Sequence, residues 1–500
     1  MLINLILFVS LFAVVCALIF KWTKTVGIIL SVTNVIGLIL SIVLAEKVFH
    51  NGPVTSFHST FYADSLSSFM ALVIELISAL SSVFSVRFLS YELLKKKTSL
   101  SKASHYVALT QLFIFAMLIA VLSSSVGLMW IAIEATTIAT TFLVGYRGNR
   151  KALEASWKYI TICSVGVGLA FIGIIFFYFA ETHLLGYTSN GNSISLNWTF
   201  LIQHAKQLNP KIVKFAFGFI LLGYGTKAGL VPLHSWLPDA HSQAPAPISA
   251  LMSGVLITVA FYAILRFKAI TDITLGRWFS EDLLLVIGLL SLLLASSLLI
   301  TQKEIKRMLA YHSIEHMALI ALGAAAGTQL AIAAVLLHIL GHGLVKAILF
   351  LVSGEVAITE GTTEISKLKS LLSSRPILGG IFGFGLLALL GLPPFSLFIS
   401  EFTMMKSEAT VGLGWVVATT LILMAVIFAV VINHSRHILI ADKSNKHSKD
   451  HKPFPLASRI KSSRITSGSL IIGLMISAVI GTVSFPLQSL LMSAAKVITG

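Results

Sequence analysis

Ionisable side chains recur inside runs that are otherwise apolar, and their spacing points to proton chemistry. In "LLHILGHGLVKAILF", His338, His342 and Lys346 come every four residues, which places them on one helix face over about 12 Å of axis. Imidazoles titrate near neutrality and buried ammonium groups can be brought there, so such a stripe suits stepwise proton exchange along the membrane plane. Satisfied core histidines would be the plainer explanation for one residue; three ionisable groups in register favour a relay. Glu134 lies near the middle of "VGLMWIAIEATTIATTFLVGY", and "GYGTKAGLVPLHSWLPDAH" carries Lys227, Pro232, His234, Asp239 and His241. An ionisable group at a helix centre in hydrocarbon costs at least about 2.5–3.5 kcal/mol, so each requires a partner or a function.

Two breaks are written into the chain. Pro232 cannot donate a backbone hydrogen bond and its ring clashes with the carbonyl of Ala228, while Gly223, Gly225 and Gly229 weaken the same turn. Freed backbone at membrane depth is tolerated only inside protein or beside a wet cavity, so Lys227 is expected to face water within a bundle. "LLGLPPFSLFISEF" repeats the device, with Gly391, Pro393 and Pro394 in an apolar run and Glu401 about two turns later.

Other polar residues in the spans read less sharply. "HSIEH", His312 to His316 with Glu315 between them, fits the H-x-x-E-H pattern of one class of zinc hydrolase. A zinc site needs a third protein ligand and an open cleft, and no acidic helix follows to supply one. These are therefore expected to be further titratable groups. Haem would need two axial ligands on facing helices, whereas these histidines share faces with Lys346 and Glu315. Glu75 sits in the middle of "DSLSSFMALVIELISALSSVFSVRF", between Asp64 and Arg87, whose charges can snorkel at the ends. It is either paired or functional. Cys16 and Cys163 lie in apolar runs and support no disulfide framework or metal cluster, so no cofactor or metal is expected in this chain.

The elements that carry these residues follow from composition. A chain of 500 residues with 56% hydrophobic and 11% charged residues lies far from soluble proteins, which are about 25% charged. An all-α polytopic membrane protein is implied. Apolar runs predict fourteen transmembrane helices, near 2–20, 25–45, 65–89, 107–124, 126–146, 158–180, 212–231, 244–266, 281–300, 309–326, 329–353, 377–403, 413–433 and 468–492. The first run lacks a basic leader region and reads as a span rather than a signal peptide. The breaks fall in predicted helices seven and twelve. That spacing suggests two inverted five-helix repeats, 107–268 and 269–440, after an N-terminal unit 1–106 and before a basic loop and last helix in 441–500.

The net charge of +16 is a topology signal rather than a nucleic-acid face. Lys21, Lys24, the Lys95–Lys97 group, Arg147, Arg150, Lys303, Lys306, Arg307, Lys367 and Lys369 fall in odd-numbered loops, as does the basic stretch from Arg436 to Arg464. Even loops are poorer in lysine and arginine, Arg266 to Arg277 being one of them. This positive-inside pattern places both termini outside the cytoplasm of a plasma-membrane protein. The 436–464 loop reads as a solvated tether with possible contact to anionic lipid, and "GYTSNGNSISLNWTF" as an external loop.

Four long stretches carry a family resemblance: "GTKAGLVPLHSWLPDAHSQAPAPISALMSG", "IKRMLAYHSIEHMALIALG", "LHILGHGLVKAILFLVSGEV" and "GLPPFSLFISEF". They resemble the antiporter-like membrane subunits of respiratory complex I, Mrp antiporters and membrane-bound hydrogenases, over about residues 60–440. Ser400-Glu401 and "INHSRHIL" look most like hydrogenase-4 component F. The resemblance implies fourteen helices with two inverted repeats. It also implies roles: Glu134 pairs with Lys227, His338, His342 and Lys346 form a central relay, Glu401 is the terminal group, and His234 and His241 flank the first break. Where many relatives have a basic residue in helix eight, this chain has Thr258, which cannot store a proton near pH 7. Transfer between the halves is then expected to use water or His234 and His241. The implied function is proton translocation in a hydrogenase-4-like or complex I-like oxidoreductase, with redox centres on partner subunits. The alternative is a Mrp-type cation/proton antiporter subunit, and the coupling ion is a proton or sodium.

Overall fold

The computed structural model of the chain describes residues 1–185, 196–368, 370–440, 464–483 and 485–500, with backbone alone for 182–185, 485 and 486. The basic stretch 441–463, Lys369, Ser484 and the stretch 186–195, expected as part of an external loop, lie outside the described residues. The described chain is helical throughout apart from one small hairpin. It opens with α1 (Leu2–Ile19) and α2 (Lys24–Asn51), the hairpin β1 (Val54–Ser56) and β2 (Phe61–Ala63), then α3 (Ser65–Leu94), α4 (Leu100–Leu122), α5 (Val126–Val144) and α6 (Arg150–Leu185). A short α7 (Trp198–His204) leads to α8 (Pro210–Ala228), α9 (Trp236–Gln243), α10 (Ala246–Leu251) and α11 (Ile257–Leu275). The second half comprises α12 (Arg277–Leu299), α13 (Ile305–Ala325), α14 (Gln329–Glu360), α15 (Leu371–Ser374), α16 (Pro376–Leu389), α17 (Ser396–Thr410) and α18 (Gly414–Leu439). It ends with α19 (Arg464–Thr482) and α20 (Phe485–Thr499).

Among the described residues, eleven helices are long and apolar enough to cross a membrane, counting α10 and α11 as one. The other expected spans fall on α8, which stops at its break, on α13, which carries the polar HSIEH stretch, and on the interrupted α16–α17 pair. The run expected as one span over 468–492 is divided between α19 and α20. α20 lies against α3 and α14, where Gln329 Nε2 donates to the Met492 carbonyl at 3.0 Å.

Both breaks use the same local geometry. α8 ends at Gly229, whose φ of +79° is left-handed; its N–H bonds Thr226 O at 3.1 Å and that of Leu230 bonds Gly225 O at 2.8 Å. α16 is followed by Gly391, with φ +62°; its N–H bonds Ala388 O and that of Leu392 bonds Leu387 O, both at 3.2 Å. Each is a Schellman ending, which recovers carbonyls that a helix end would orphan. A cis X-Pro bond follows each glycine, at Val231-Pro232 and Pro393-Pro394. At the first break side chains add to this: Val231 N–H donates to Ser291 Oγ at 3.0 Å, and Trp236 Nε1 is a second donor to Thr226 O, at 2.9 Å.

α11 and α14 touch backbone to backbone. A Cβ on Gly254 would meet Gly343 O at 3.0 Å, and one on Gly343 would meet Gly254 O at 2.8 Å. Gly254 stands in a π-helical turn, Met252–Leu256, joining α10 to α11; such turns widen a helix locally and recur at functional sites.

Three charges expected at loops or span ends are buried instead. Arg266 and Asp64 are 2% and 3% exposed and pair in bidentate fashion at 2.6 and 2.7 Å, with Tyr262 and Ser67 accepting from the same guanidinium. The fork geometry of arginine suits this exchange of two parallel bonds, so these groups join α3 to α11 rather than snorkelling. Lys306 is also buried, its Nζ donating to Ala244 O at 2.5 Å. Arg87 pairs with buried Glu355 of α14. Removing one partner of a buried ion pair leaves the other charge stranded, at about 3–5 kcal/mol. Asp64→Ala is expected to lower stability to denaturation in detergent by that amount, and Asp64→Ala/Arg266→Met to recover most of it. Additive losses in this double-mutant cycle would show that the pair is not the connection.

Candidate functional site

The first polar cluster lies between α5, α6 and α8. Lys227 is fully buried, and its Nζ donates to Thr137 Oγ1 at 2.5 Å and to Tyr159 Oη at 3.1 Å. Thr137 Oγ1 donates to Glu134 Oε2 at 3.3 Å, and Ser164 Oγ donates to Glu134 Oε1 at 2.8 Å. Glu134 and Lys227 thus meet through a hydroxyl, not in the direct ion pair that their types suggest. The reason is positional: Thr137 stands three residues after Glu134 on the same face of α5 and fills the space between the two charges. Thr140 hydrogen-bonds Tyr159 Oη at 2.6 Å, and Trp236 of α9 packs on the Tyr159 ring at 4.9 Å. α9 is anchored at Asp239, which accepts from Lys158 at 3.2 Å and Arg307 at 2.8 Å.

The second cluster joins α13, α14 and α17. His316 Nδ1 and His338 Nε2 are 3.0 Å apart, and His338 Nδ1 meets Ser400 Oγ at 3.0 Å. His312 Nδ1 lies 2.5 Å from Glu315 Oε2, and His316 Nδ1 lies 4.0 Å from Glu401 Oε1. The His316 ring is 5.1 Å from both His338 and His342, so the histidines form one connected group. Lys346, one turn beyond His342, donates to the Leu309 carbonyl at 2.5 Å. A cavity of about 280 Å³ between α13, α16, α17 and α18 is lined by both Glu315 and Glu401.

His241 stands between the clusters. It is fully buried and stacks on Phe350 at 5.1 Å. Phe350 continues the four-residue stripe of His338, His342 and Lys346, so His241 adjoins the end of that face. Both its ring nitrogens, both those of His342, and Nε2 of His312 and His316 meet no protein partner and are chemically free to bind a proton or a solvent hydrogen bond. His234 is half-buried beside the break, where its carbonyl accepts from Leu237 N–H at 3.0 Å. Thr258 turns its hydroxyl to Val255 O of its own helix at 2.9 Å. Glu75 enters neither cluster's hydrogen bonds; its carboxylate packs against Gly37 of α2, and Oε2 has no partner.

The fold supplies the third ligand whose absence argued against a metal. Ligand atoms of His316, His338 and Glu401 lie within 4.8 Å of one another, as do those of His312, Glu315 and His316. Their arrangement still differs from that of zinc, which needs lone pairs turned to a common centre; here ring nitrogens face each other and a hydroxyl in hydrogen-bonding relation. Of the residues given no site role from the sequence, Thr137 is betrayed by its i+3 relation to Glu134, and Ser400, quoted only as part of the family resemblance, by its place beside Glu401. Tyr159, Ser164 and Lys306 carry no comparable signal, because only the packing of α6 against α5 and α8 and of α13 against α9 brings them in.

A family profile described as "NADH:quinone oxidoreductase/Mrp antiporter, TM" matches residues 123–428, the stretch that holds both clusters. The hydrogenase-4 component F homolog of Methylacidiphilum infernorum (isolate V4) is 37% identical over 349 residues, 70% of this chain and 72% of that one. Two solved structures overlay the whole chain. One is from the membrane-bound sulfane sulfur reductase, an archaeal respiratory membrane complex, with a TM-score of 0.83, 25% identity and 97% of that chain covered. The other is from the Mrp complex of Dietzia sp. DQ12-45-1b, with a TM-score of 0.82, 18% identity and 99% covered. The extent of these matches settles the family: the chain belongs to the transmembrane subunits of the NADH:quinone oxidoreductase/Mrp antiporter type.

Proposed function

We propose that the chain is a proton-translocating membrane-arm subunit of a hydrogenase-4-like or complex I-like oxidoreductase. It works beside other membrane subunits and a peripheral arm that holds the redox centres. The observation that carries this reading is the run of polar groups across the middle of the bundle: Glu134, Thr137 and Lys227 joined by hydrogen bonds in one half, and in the other His316, His338 and Ser400 joined by hydrogen bonds, with His342 in ring contact and Glu401 4.0 Å away. In the resting state Glu134 and the hydroxyls favour a charged Lys227. When a neighbouring subunit withdraws Glu134, the proton on Lys227 loses its support and moves on. His241 is the group we assign to the link between halves, in place of the basic residue that Thr258 does not supply. Glu401, on the cavity beside α18, is the terminal group facing the next subunit.

The same reading takes α8–α9 and α16–α17 as the discontinuous helices of two inverted repeats, 107–268 and 269–440, in a chain of fourteen spans. Their shared Schellman endings support it. The loop charges support placing both termini on the non-cytoplasmic side of the plasma membrane. A Mrp-type cation/proton antiporter subunit is the second reading, supported by the full-length overlay on the Mrp complex chain. Purification from the native membrane separates the two: iron–sulfur or nickel proteins accompany the first, and small hydrophobic subunits alone accompany the second.

Lys227→Met is expected to abolish proton uptake by vesicles holding the intact complex, at every pH, with assembly preserved. Normal pumping would make Lys227 a structural group. For the bridge, Thr137→Val removes a hydrogen bond to a charged group, worth about 1.5–3 kcal/mol, and should cut coupled uptake roughly 10- to 100-fold, whereas Thr137→Ser stays near wild type. His241→Phe keeps the stack on Phe350 but no exchangeable proton. It should reduce uptake at least about tenfold without altering thermal stability; equal loss in His234→Phe would remove the special place given to His241.

A further inference from the structure

A groove of about 830 Å³ lies between α2, α3, the end of α14 and the start of α19, apart from both polar clusters. Its walls are apolar and outward-facing, with Ile28 and Val32 50% exposed and Ile36 42% exposed. One end alone is basic. Lys24 opens α2 and Lys95 closes α3 at that end, with Arg87, Ser90 and Tyr91 beside them. Arg87 is committed to Glu355, whereas Lys24 and Lys95 enter no ion pair among the described residues. From Lys24 to Ile36 on α2, and from Lys95 to Val83 on α3, the groove runs about 18 Å along each axis. That is one leaflet: half of a hydrocarbon core about 30 Å thick, plus the headgroup level.

We propose that this groove is a binding site for one anionic phospholipid of the leaflet on the basic side, its phosphate held by Lys24 and Lys95 and its acyl chains against Ile28, Val32, Ile36 and Val83. The groove proper ends at Ile36 and Val83 and so matches the length of one lipid; a partner helix along the exposed face of α2 is the outcome that the cross-link below would reveal. The charge decides the headgroup class: two ammonium groups with no ion pair among the described residues flank the mouth, and basic pockets between membrane helices bind anionic headgroups in this way. A bound lipid would bridge α2 and α3 to the ends of α14 and α19, next to the Arg87–Glu355 contact.

The test is native mass spectrometry of the purified complex after exchange into bilayers of equal phosphatidylglycerol and phosphatidylethanolamine. About one phosphatidylglycerol per chain should be retained. Lys24→Ala/Lys95→Ala, which alters only exposed or half-exposed residues, should lower its affinity about 30-fold, with phosphatidylethanolamine unaffected. Val32→Trp/Ile36→Trp should expel lipid whatever its charge. Equal retention of the two lipids by the wild type, unchanged phosphatidylglycerol in the lysine variant, or unchanged lipid in the tryptophan variant would overturn the site. So would a cysteine at Val32 that cross-links to another polypeptide in native membranes.

Discussion

Hydrocarbon offers no hydrogen bonds, and the interior of this protein is arranged around that fact. Helices interrupted at membrane depth must find partners for every freed N–H and carbonyl within the bundle. The left-handed glycines at 229 and 391 let each helix fold its last turn back on itself, and at the first break Ser291 accepts from Val231 while Trp236 gives Thr226 O a second donor. Only with the backbone satisfied can the side chains nearby remain polar. Lys227 then meets hydroxyls rather than competing with bare carbonyls, and Ser400 and Glu401 stand on the helix that begins after the second break.

The two clusters meet this demand with different chemistry. Around Lys227 the partners are hydroxyls, which both donate and accept and so can sit between an ammonium and a carboxylate without choosing a side. Around His338 they are imidazoles, whose two nitrogens play opposite roles when neutral. A hydroxyl bridge spaces two charges and weakens their pull; an imidazole chain passes a proton by exchanging roles. The direct pair Asp64–Arg266, by contrast, satisfies nearly every donor it has, and suits holding α3 to α11 rather than exchange.

Much of this was legible in the sequence. The apolar runs, the two Gly-Pro breaks and the four-residue stripe are local patterns, and the fold places them where period and proline chemistry require. What escaped sequence reading depends on which helices meet. Thr137 was visible beside Glu134, but that it would separate Glu134 from Lys227 depends on the approach of α8. Arg266 reads as a loop charge until α3 supplies Asp64. Lys306 looks like one more positive-inside residue, yet it turns inward because α9 ends at Ala244, whose carbonyl accepts its hydrogen bond. The last apolar run was counted as one span because hydropathy registers length, not the division into α19 and α20.

α14 is a single rod of 32 residues, about 48 Å long, and so longer than the hydrocarbon core is thick. It is seated at three heights by glycines where other segments press in: Gly341 on Ser396 of α17, Gly343 on Gly254, and Gly354 on Ala246 of α10. A shaft keyed at three points can neither slide along its axis nor turn about it without lifting a seat. The ring planes of His338 and His342 are therefore indexed to the same seats that fix Glu355 at the far end of the rod.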